Sequence, residues 1–393
     1  MSQLKVNSIS DSAGANGNAI TLASDGTCTA KITNNLSNRN VVINGDFSVD
    51  QRNSGSSVDL DAGDNAAFAA DRMQFFNYGS GELDTDIQRI DNDAPEGFKY
   101  ANKLTVTTPE SSGGTPAADD RLSMQYRAEA NTTDHFDFGQ STAKTFYISF
   151  WVKSSLTGNF GLAITGGGKN YCVLYPISSA NTWEKIKIKV PGPTSGSWSQ
   201  GTSAGINLKF GLYSGSNRVG PDQGITGTGS WQSGDSAQGT TGQVQLGGTN
   251  GATWLITGLQ MEVSDYGATD FEHLPYGTEL ARCQRYFQRA HSQVDGAQRP
   301  VCIGCFESSS TITGIIRFPE MRTAPTFSAS VVSSGWMFRE GGQSHSFNSL
   351  TERYCTPTSA EFTQSGSVSD TAGIAGMIRG EGSSSTIDLS AEF

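Results

Sequence analysis

The chain has 393 residues, of which 47 are glycine and 17% are charged, and a formal net charge of −11. Two or three domains fit that length, and an acidic chain with no Lys/Arg cluster excludes a nucleic-acid or anionic-membrane partner. No apolar run approaches the ~20 residues of a membrane span, while 20 Phe, 11 Tyr and 6 Trp supply bulk for real cores, so the composition reads as an all-β protein rich in turns and not as disorder.

Residues 1–38 stand apart. LKVNSI, AITL and TCTAKIT read as three short strands joined by Gly/Asp turns, with Leu4, Val6 and Ile9 as apolar positions. So few large apolar residues cannot close a core. The physical remedy is self-association, with three copies winding strands around one axis. The opening MSQLKVNSIS carries no apolar signal segment, so assembly in the cytoplasm is expected.

Residues 39–275 alternate short apolar runs with Gly, Ser, Asn and Asp clusters. Strands are expected at ADRMQFFNY, YANKLTVTT, RLSMQYRAE, KTFYISFWVKS, FGLAITG, YCVLYPI, TWEKIKIKV, INLKFGLYS, TGQVQLG and the closing WLITGLQMEV. Alternating and continuous apolar runs both occur, a mixture that an antiparallel two-sheet sandwich accommodates. Lys185, Lys187 and Lys189 alternate with Ile186 and Ile188, which puts the lysines on a solvent face and not along a phosphate track. GGGKN at 166–170 lacks the Lys-Ser/Thr of a phosphate loop and reads as a long turn between two strands.

Further on the spacing becomes three and four. Leu280, Cys283, Tyr286, Phe287 and Ala290 fall on one helical face, so residues 276–294 read as a helical joint. Residues 295–393 return to strand-like runs, among them PVCIGCFESSS, TITGIIRF, GWMFREGG and a final STIDLSAEF expected to be held in a sheet.

No catalytic pattern emerges. His135, His273, His291 and His345 are isolated, and G-x-S-x-G, H-E-x-x-H, P-loop and G-x-G-x-x-G patterns are absent. Asp134 with Asp137, or Glu82 with Asp84, could pair for glycoside hydrolysis, but spacing does not supply the geometry that chemistry needs. Solvated loop carboxylates are the simpler reading. Among six cysteines only Cys302 and Cys305 have metal-like spacing, and three apart in a strand they point to opposite faces, so free thiols are expected. Trp151, Trp183 and Trp254 lie in apolar strands and are expected in the core. Trp198 in PTSGSWSQGTS and Trp231 in TGTGSWQSGDS lie in polar loops, where an indole packs on something: a neighbouring subunit, a saccharide, or the rim of its own sandwich. Trp336 and Phe338 in GWMFREGG pose the same question for the last module.

Ala268, Thr269, Phe271, Glu272, His273, Pro275, Tyr276, Gly277, Glu279, Leu280, Cys283, Gln284, Arg285 and Tyr286 form a run that resembles the ATxFEHRPYGxELxxCQRYY junction of bacteriophage tail-fibre and related virion proteins. Leu274 stands where Arg is usual, and Phe287 where a second Tyr is common. The NGDF at 44–47, the FYISFWVKS strand, the Trp183 strand and LITGLQMEV resemble the jelly rolls of carbohydrate-binding modules. Phe318, Pro319, Met321, Arg322 and Pro325, with the run 387–393, resemble tail-fibre C-terminal domains.

The resemblance implies an all-β homotrimer with four parts: an attachment arm (1–38), a jelly-roll body (39–275), a helical linker (276–294) and a C-terminal β tip (295–393). The arm would engage other tail or virion proteins. The body and tip would adhere, without catalysis, to host polysaccharide or receptor, in a virion assembled in bacterial cytoplasm. Ligand contacts would fall to Trp198, Trp231, Trp336 and Phe338. One structural calcium would fall to Asp46 and Glu262, where a turn cap and a salt bridge are the plainer reading. Asp71, followed by Arg72, reads as charge beside a strand. Two alternatives stand beside the fibre: a purely structural virion part (head decoration, collar or connecting segment), and a glycan depolymerase, for which no β-helical repeat is present.

Overall fold

The computed structural model describes residues 8–10, 18–22, 28–30, 38–63, 67–79, 81–111, 114–264, 267–292, 298–365, 368–381 and 385–393. Near the amino end, Ser8–Ser10, Asn18–Leu22 and Cys28–Ala30 form an antiparallel sheet with Ser8 opposite Thr21 and Ile20 opposite Ala30. Leu4, Val6 and the side chains of Ile9 and Cys28 lie outside the described residues.

The architecture is all-β, with an antiparallel sandwich of the jelly-roll kind at its centre. Among the described residues, one sheet runs in the order Glu184–Val190, Phe146–Ser154, Thr253–Val263, Ala101–Thr108, Asp84–Ile90, Val58–Leu60. Its partner runs Gln232–Ser233, Lys169–Ile177, Gly158–Gly166, Ala204–Ser214, Arg121–Glu129, Gln74–Tyr78, Ala67–Phe68. Side chains alternate across each pleat, so Phe146, Ile148, Phe150 and Val152 all point inward and are fully buried. Phe150 meets Tyr175 and Phe210 of the opposite sheet at ring distances of 5.2 and 5.1 Å. Each such ring contributes roughly 2–3 kcal/mol by leaving water, which makes this layer the main source of sandwich stability. Lys185, Lys187 and Lys189 are exposed between buried Ile186, Ile188 and Val190, as the alternation requires.

The sandwich is closed where its first and last segments meet. Val41 N–H donates to Met261 O (3.1 Å) and Leu259 N–H to Gly45 O (2.9 Å). Asn44 takes a left-handed φ of 61°, and its side chain bonds Val49 N–H, Val49 O and Asp71 O. A Cβ at Gly45 would overlap the Leu259 carbonyl, so the Asn-Gly pair is demanded by close backbone approach.

Several expectations are corrected. TGQVQLG is not a strand: Gly242 has φ 88°, Gln243 Oε1 folds back onto Thr240 N–H (2.8 Å), and Leu246–Gly248 is a 3₁₀ turn. GGGKN is a tight turn, not a long one: Gly166 pairs with Lys169 and the two intervening glycines have φ of 60° and 71°. Trp151 and Trp183 are only half-buried and lie outside the core; Trp183 Nε1 donates to Asp93 Oδ1 (3.2 Å), whereas Trp254 is fully buried.

The helix is shorter than its spacing suggests. It spans Tyr276–Gln284, and Phe287–Ser292 is a strand paired with Thr386–Ser390. Ladder hydrogen bonds to a distant segment override the local helical pattern of Tyr286, Phe287 and Ala290. Thr386–Ser390 sits between Phe287–Ser292 and Thr326–Ala329, so the expected final strand is in place. That sheet packs on another running Gln343–Phe347, Trp336–Glu340, Ala375–Gly380, Arg299–Ser308, Thr311–Arg317, Ser359–Ser365, Ser349–Thr356, with Phe327 stacked on Phe362 at 5.4 Å.

Ion pairs lie between this second core and the sandwich, buried around Asp71, Arg72 and Glu392 and partly exposed at Arg285 and at Arg289, which reaches the sandwich by donating to Arg52 O (2.7 Å). Arg52 contacts Asp71 (2.8 Å) and Glu392 (3.3 Å), Arg72 contacts Glu392, Arg285 grips Glu129 through two bonds (2.8 and 3.0 Å), and Arg289 grips Asp388 (2.8 and 2.9 Å). Arg322 donates to Ala391 O, Glu392 O and Thr202 O. The junction motif serves the same fastening: Glu272 accepts Asn38 and Asn40 N–H groups, and Glu279 accepts that of Asn44.

Candidate functional site

Strand Arg121–Glu129 runs directly into a 3₁₀ turn, Ala130–Phe136, that ends on Asp137 in the left-handed region (φ 57°). Glu129 at its start is held by Arg285, and the facing loop is tied at Thr202 by Arg322, so the ion-pair lattice fixes both walls of what lies between. Between them is a cleft of about 400 Å³, lined by Thr133, Asp134, Asp137, Gln140, Trp198 and Gln200 among others.

Its aromatic wall is continuous with the core. Fully buried Phe136 contacts Phe146 (5.5 Å) and Phe138 (5.1 Å), Phe138 contacts Trp198 (4.6 Å), and Trp198 meets Trp231 edge-to-face at 5.8 Å. Tyr171 continues the chain at 5.7 Å from Trp231. Both indoles are half-buried, and each N–H is bonded to its own neighbourhood, Trp198 to Ser195 O (3.1 Å) and Trp231 to Pro191 O (2.7 Å). Trp198 lies against the glycine turn: a Cβ at Gly167 would come within 2.7 Å of the indole, and one at Gly139 within 2.8 Å. Glycines set the position of this ring by leaving room for it.

The cleft's charge is acidic. Asp134 and Asp137 both line it, and Lys144 Nζ stands 3.9 Å from Asp137, a contact exposed enough to contribute little. Burial, with Lys144 adding to it, lowers the pKa of His135, keeping that imidazole neutral at pH 7. Carboxylates, amides and hydroxyls beside a half-buried aromatic wall can hydrogen-bond a polyol while the ring covers its C–H face.

The structure therefore brings Trp198, Asp134 and Asp137, which the sequence singled out for different reasons, to one cleft, while Trp231 packs on Trp198 without lining it. It does not bring Trp336 or Phe338 to a surface. Both are fully buried, Trp336 Nε1 donates to Ser330 O (3.0 Å), and Phe338 packs on Phe306 at 5.2 Å, so neither ring is open to a ligand. Asp46 Oδ1 accepts from Ser48 N–H and Oγ, the turn cap of the plainer reading. Glu262 faces Arg39 (3.4 Å) and accepts from Thr269 and Gln260. Asp71 is buried on Arg52 and Gln51, and burial raises its pKa. Phe138 and Gln140 were missed; the aromatic–polar alternation of HFDFGQ was their only signal. Glu82 and Asp84 do not line the cleft.

No protein-family profile matches the chain, and no curated protein sequence matches it. Among solved structures, the enzymatically active domain of tailspike protein 4 of bacteriophage CBA120 aligns at 13% identity and a TM-score of 0.28, covering 59% of this chain and 24% of that one. The CBM22-1 xylan-binding domain of Paenibacillus barcinonensis Xyn10C aligns at 12% identity and TM-score 0.24, covering 54% of this chain and 97% of that one. The family 11 carbohydrate-binding module of Clostridium thermocellum Lic26A-Cel5E aligns at 11% and 0.25, covering 56% and 99%. The chain spans about a quarter of the tailspike domain's length, and likenesses this low carry no argument about ligand or activity. No helix of the described residues is long and apolar enough to cross a membrane.

Proposed function

We propose that the chain is a phage virion component of the tail-fibre type that adheres to host-surface polysaccharide without cleaving it. The observation that carries this reading is the cleft in which Trp198 and its aromatic neighbours stand beside Asp134, Asp137, Gln140 and Gln200. A site of this size grips a short stretch of polysaccharide weakly, and repetition in an oligomer turns weak contacts into firm adhesion. Self-association as a trimer belongs to the reading: Ile303 and Ile315, 75% and 51% exposed on adjacent strands of the C-terminal sheet, offer apolar surface to further copies. The amino-terminal strands would contact other virion proteins.

The test is retardation of the purified chain in gels containing bacterial envelope polysaccharides. Trp198→Ala should lose about tenfold in affinity; because the ring packs on Phe138 and Trp231 the variant also melts lower, so retardation is compared well below its transition. Equal retardation of the variant on every polysaccharide bound by the parent would remove the cleft from the argument.

One observation favours glycan cleavage as a second reading, the shared lining of the cleft by Asp134 and Asp137. Release of reducing sugar that disappears in Asp134→Asn or Asp137→Asn would establish it in place of simple binding.

A further inference from the structure

Outside the cleft, one cluster of side chains has the makings of a site. Glu340 and Gln343 flank a two-residue hairpin turn in which Gly341 and Gly342 have φ of 44° and 93°, and His345 follows two residues along the second strand. Across the hairpin Phe338 is opposite His345 and Glu340 opposite Gln343, so Glu340 and His345 are diagonal neighbours on the face of the buried Phe338. A crossing segment supplies the third member: Asp370 N–H donates to Ser309 O (3.1 Å) and Gly373 N–H to Phe306 O (2.8 Å), which anchors Asp370 over the pair.

His345 Nε2 lies 3.0 Å from Asp370 Oδ2 and 3.9 Å from Glu340 Oε1. One donor atom from each residue lies within 4.8 Å of the others. The three side chains are 13–18% exposed, and Nε2 itself is buried with no well-formed hydrogen bond despite the nearby oxygen. Phe306 and Phe338 pack against the imidazole at ring distances of 5.2 and 6.3 Å, holding it in place.

Two carboxylates gathered round a buried nitrogen repel each other unless a proton or a cation lies among them. Calcium prefers oxygen ligands alone, whereas an imidazole nitrogen with two carboxylates suits zinc or manganese, with water completing the shell. We propose that Glu340, His345 and Asp370 bind one divalent ion of the zinc class. Gln343–Phe347 is the edge strand of its sheet, paired on one side only, and the ion would clip it to the segment around Asp370. The role is structural, and independent of whether the cleft binds saccharide.

The test uses the full chain, stripped with chelator and titrated separately with Zn²⁺, Mn²⁺, Ca²⁺ and Mg²⁺ by calorimetry, with melting curves alongside. Expected are one zinc or manganese per chain, a raised melting temperature, no effect of Ca²⁺ or Mg²⁺, and a loss of about 100-fold in affinity for His345→Gln. If His345→Gln does not fold, Glu340→Gln and Asp370→Asn make the same comparison. X-ray absorption on the zinc complex should show nitrogen and oxygen neighbours only. Sulfur in that shell, unchanged affinity in the folded variants, or no stoichiometric binding by the parent chain would each overturn the proposal.

Discussion

Glu392→Gln puts the buried ion lattice between the two cores to a direct test. Arg72 is 3% exposed, and its guanidinium pairs with Glu392, donates to Arg127 O (2.7 Å) and lies 3.4 Å over the Tyr286 ring. Removing one member of a buried pair costs about 3–5 kcal/mol, because the remaining charge is stranded. The lower end applies here. The amide oxygen still accepts one bond, the Arg127 carbonyl remains, and a desolvated cation over an aromatic face retains about 2 kcal/mol. Arg52 loses its 3.3 Å contact but keeps Asp71 at 2.8 Å. A loss of about 3 kcal/mol follows, read as a lower urea midpoint at neutral pH with an unchanged slope. Arg72→Met completes a double-mutant cycle. Residue 72 has φ 72°, a strain that methionine shares, so the backbone contribution cancels and the coupling should be about 2 kcal/mol. A Glu392→Gln midpoint equal to the parent's, or a cycle with no coupling, would refute the claim that this lattice fastens the modules.

Three further outcomes are expected. Burial, with Arg127 nearby, pulls Lys209 down to about 8 from its ordinary 10.5. The unfolded chain therefore binds the extra proton at this site between those values, so the parent's stability relative to Lys209→Met should rise by roughly 3 kcal/mol from pH 8 to 10.5; the difference in urea midpoints decides it, because thiols and phenols raised by burial, Cys172 and Cys302 among them, lower the stability of both chains over the same range. Burial alone would raise Glu129, but bonds from Arg285 and Tyr286 outweigh it and hold the carboxyl below its ordinary value. Its stabilising share is thus complete above pH 4.5 and lost as pH falls through the lowered value, so Glu129→Gln should flatten the acid limb of a stability–pH curve. Gly167→Ala combines a left-handed φ of 60° with a Cβ 2.7 Å from the Trp198 ring; it should cost about 1–2 kcal/mol in thermal unfolding and weaken any saccharide binding together with it.

Most strands were legible because their signal is local. RLSMQYRAE coincides with Arg121–Glu129, and the Lys–Ile alternation of 185–190 assigned its own faces. Asp84–Ile90 escaped notice because only Thr85 and Ile87 along it are buried, too weak a period among polar neighbours. TGQVQLG misled in the opposite sense, since its apolar residues serve a turn capped by Gln243. The end of the helix was also illegible. Whether Phe287 continues a helix or joins a sheet depends on Ser390, which lies far along the chain.

For the site, the loop tryptophans were suspect from their surroundings alone, an indole in a Gly/Ser loop being costly unless packed. Trp198 and Trp231 found each other, while Trp336 found a core, and nothing local to SSGWMFREGG separates those outcomes. Composition, period and turn residues determined that this protein is all-β, turn-rich and built as a sandwich followed by a further strand-rich unit. Only the tertiary structure decided which polar residues share a cleft, which arginines are buried in a lattice, and that Glu340, His345 and Asp370 converge. Strand pleat and turn type are set by neighbours in sequence, whereas these meetings depend on sheet register between segments tens to hundreds of residues apart.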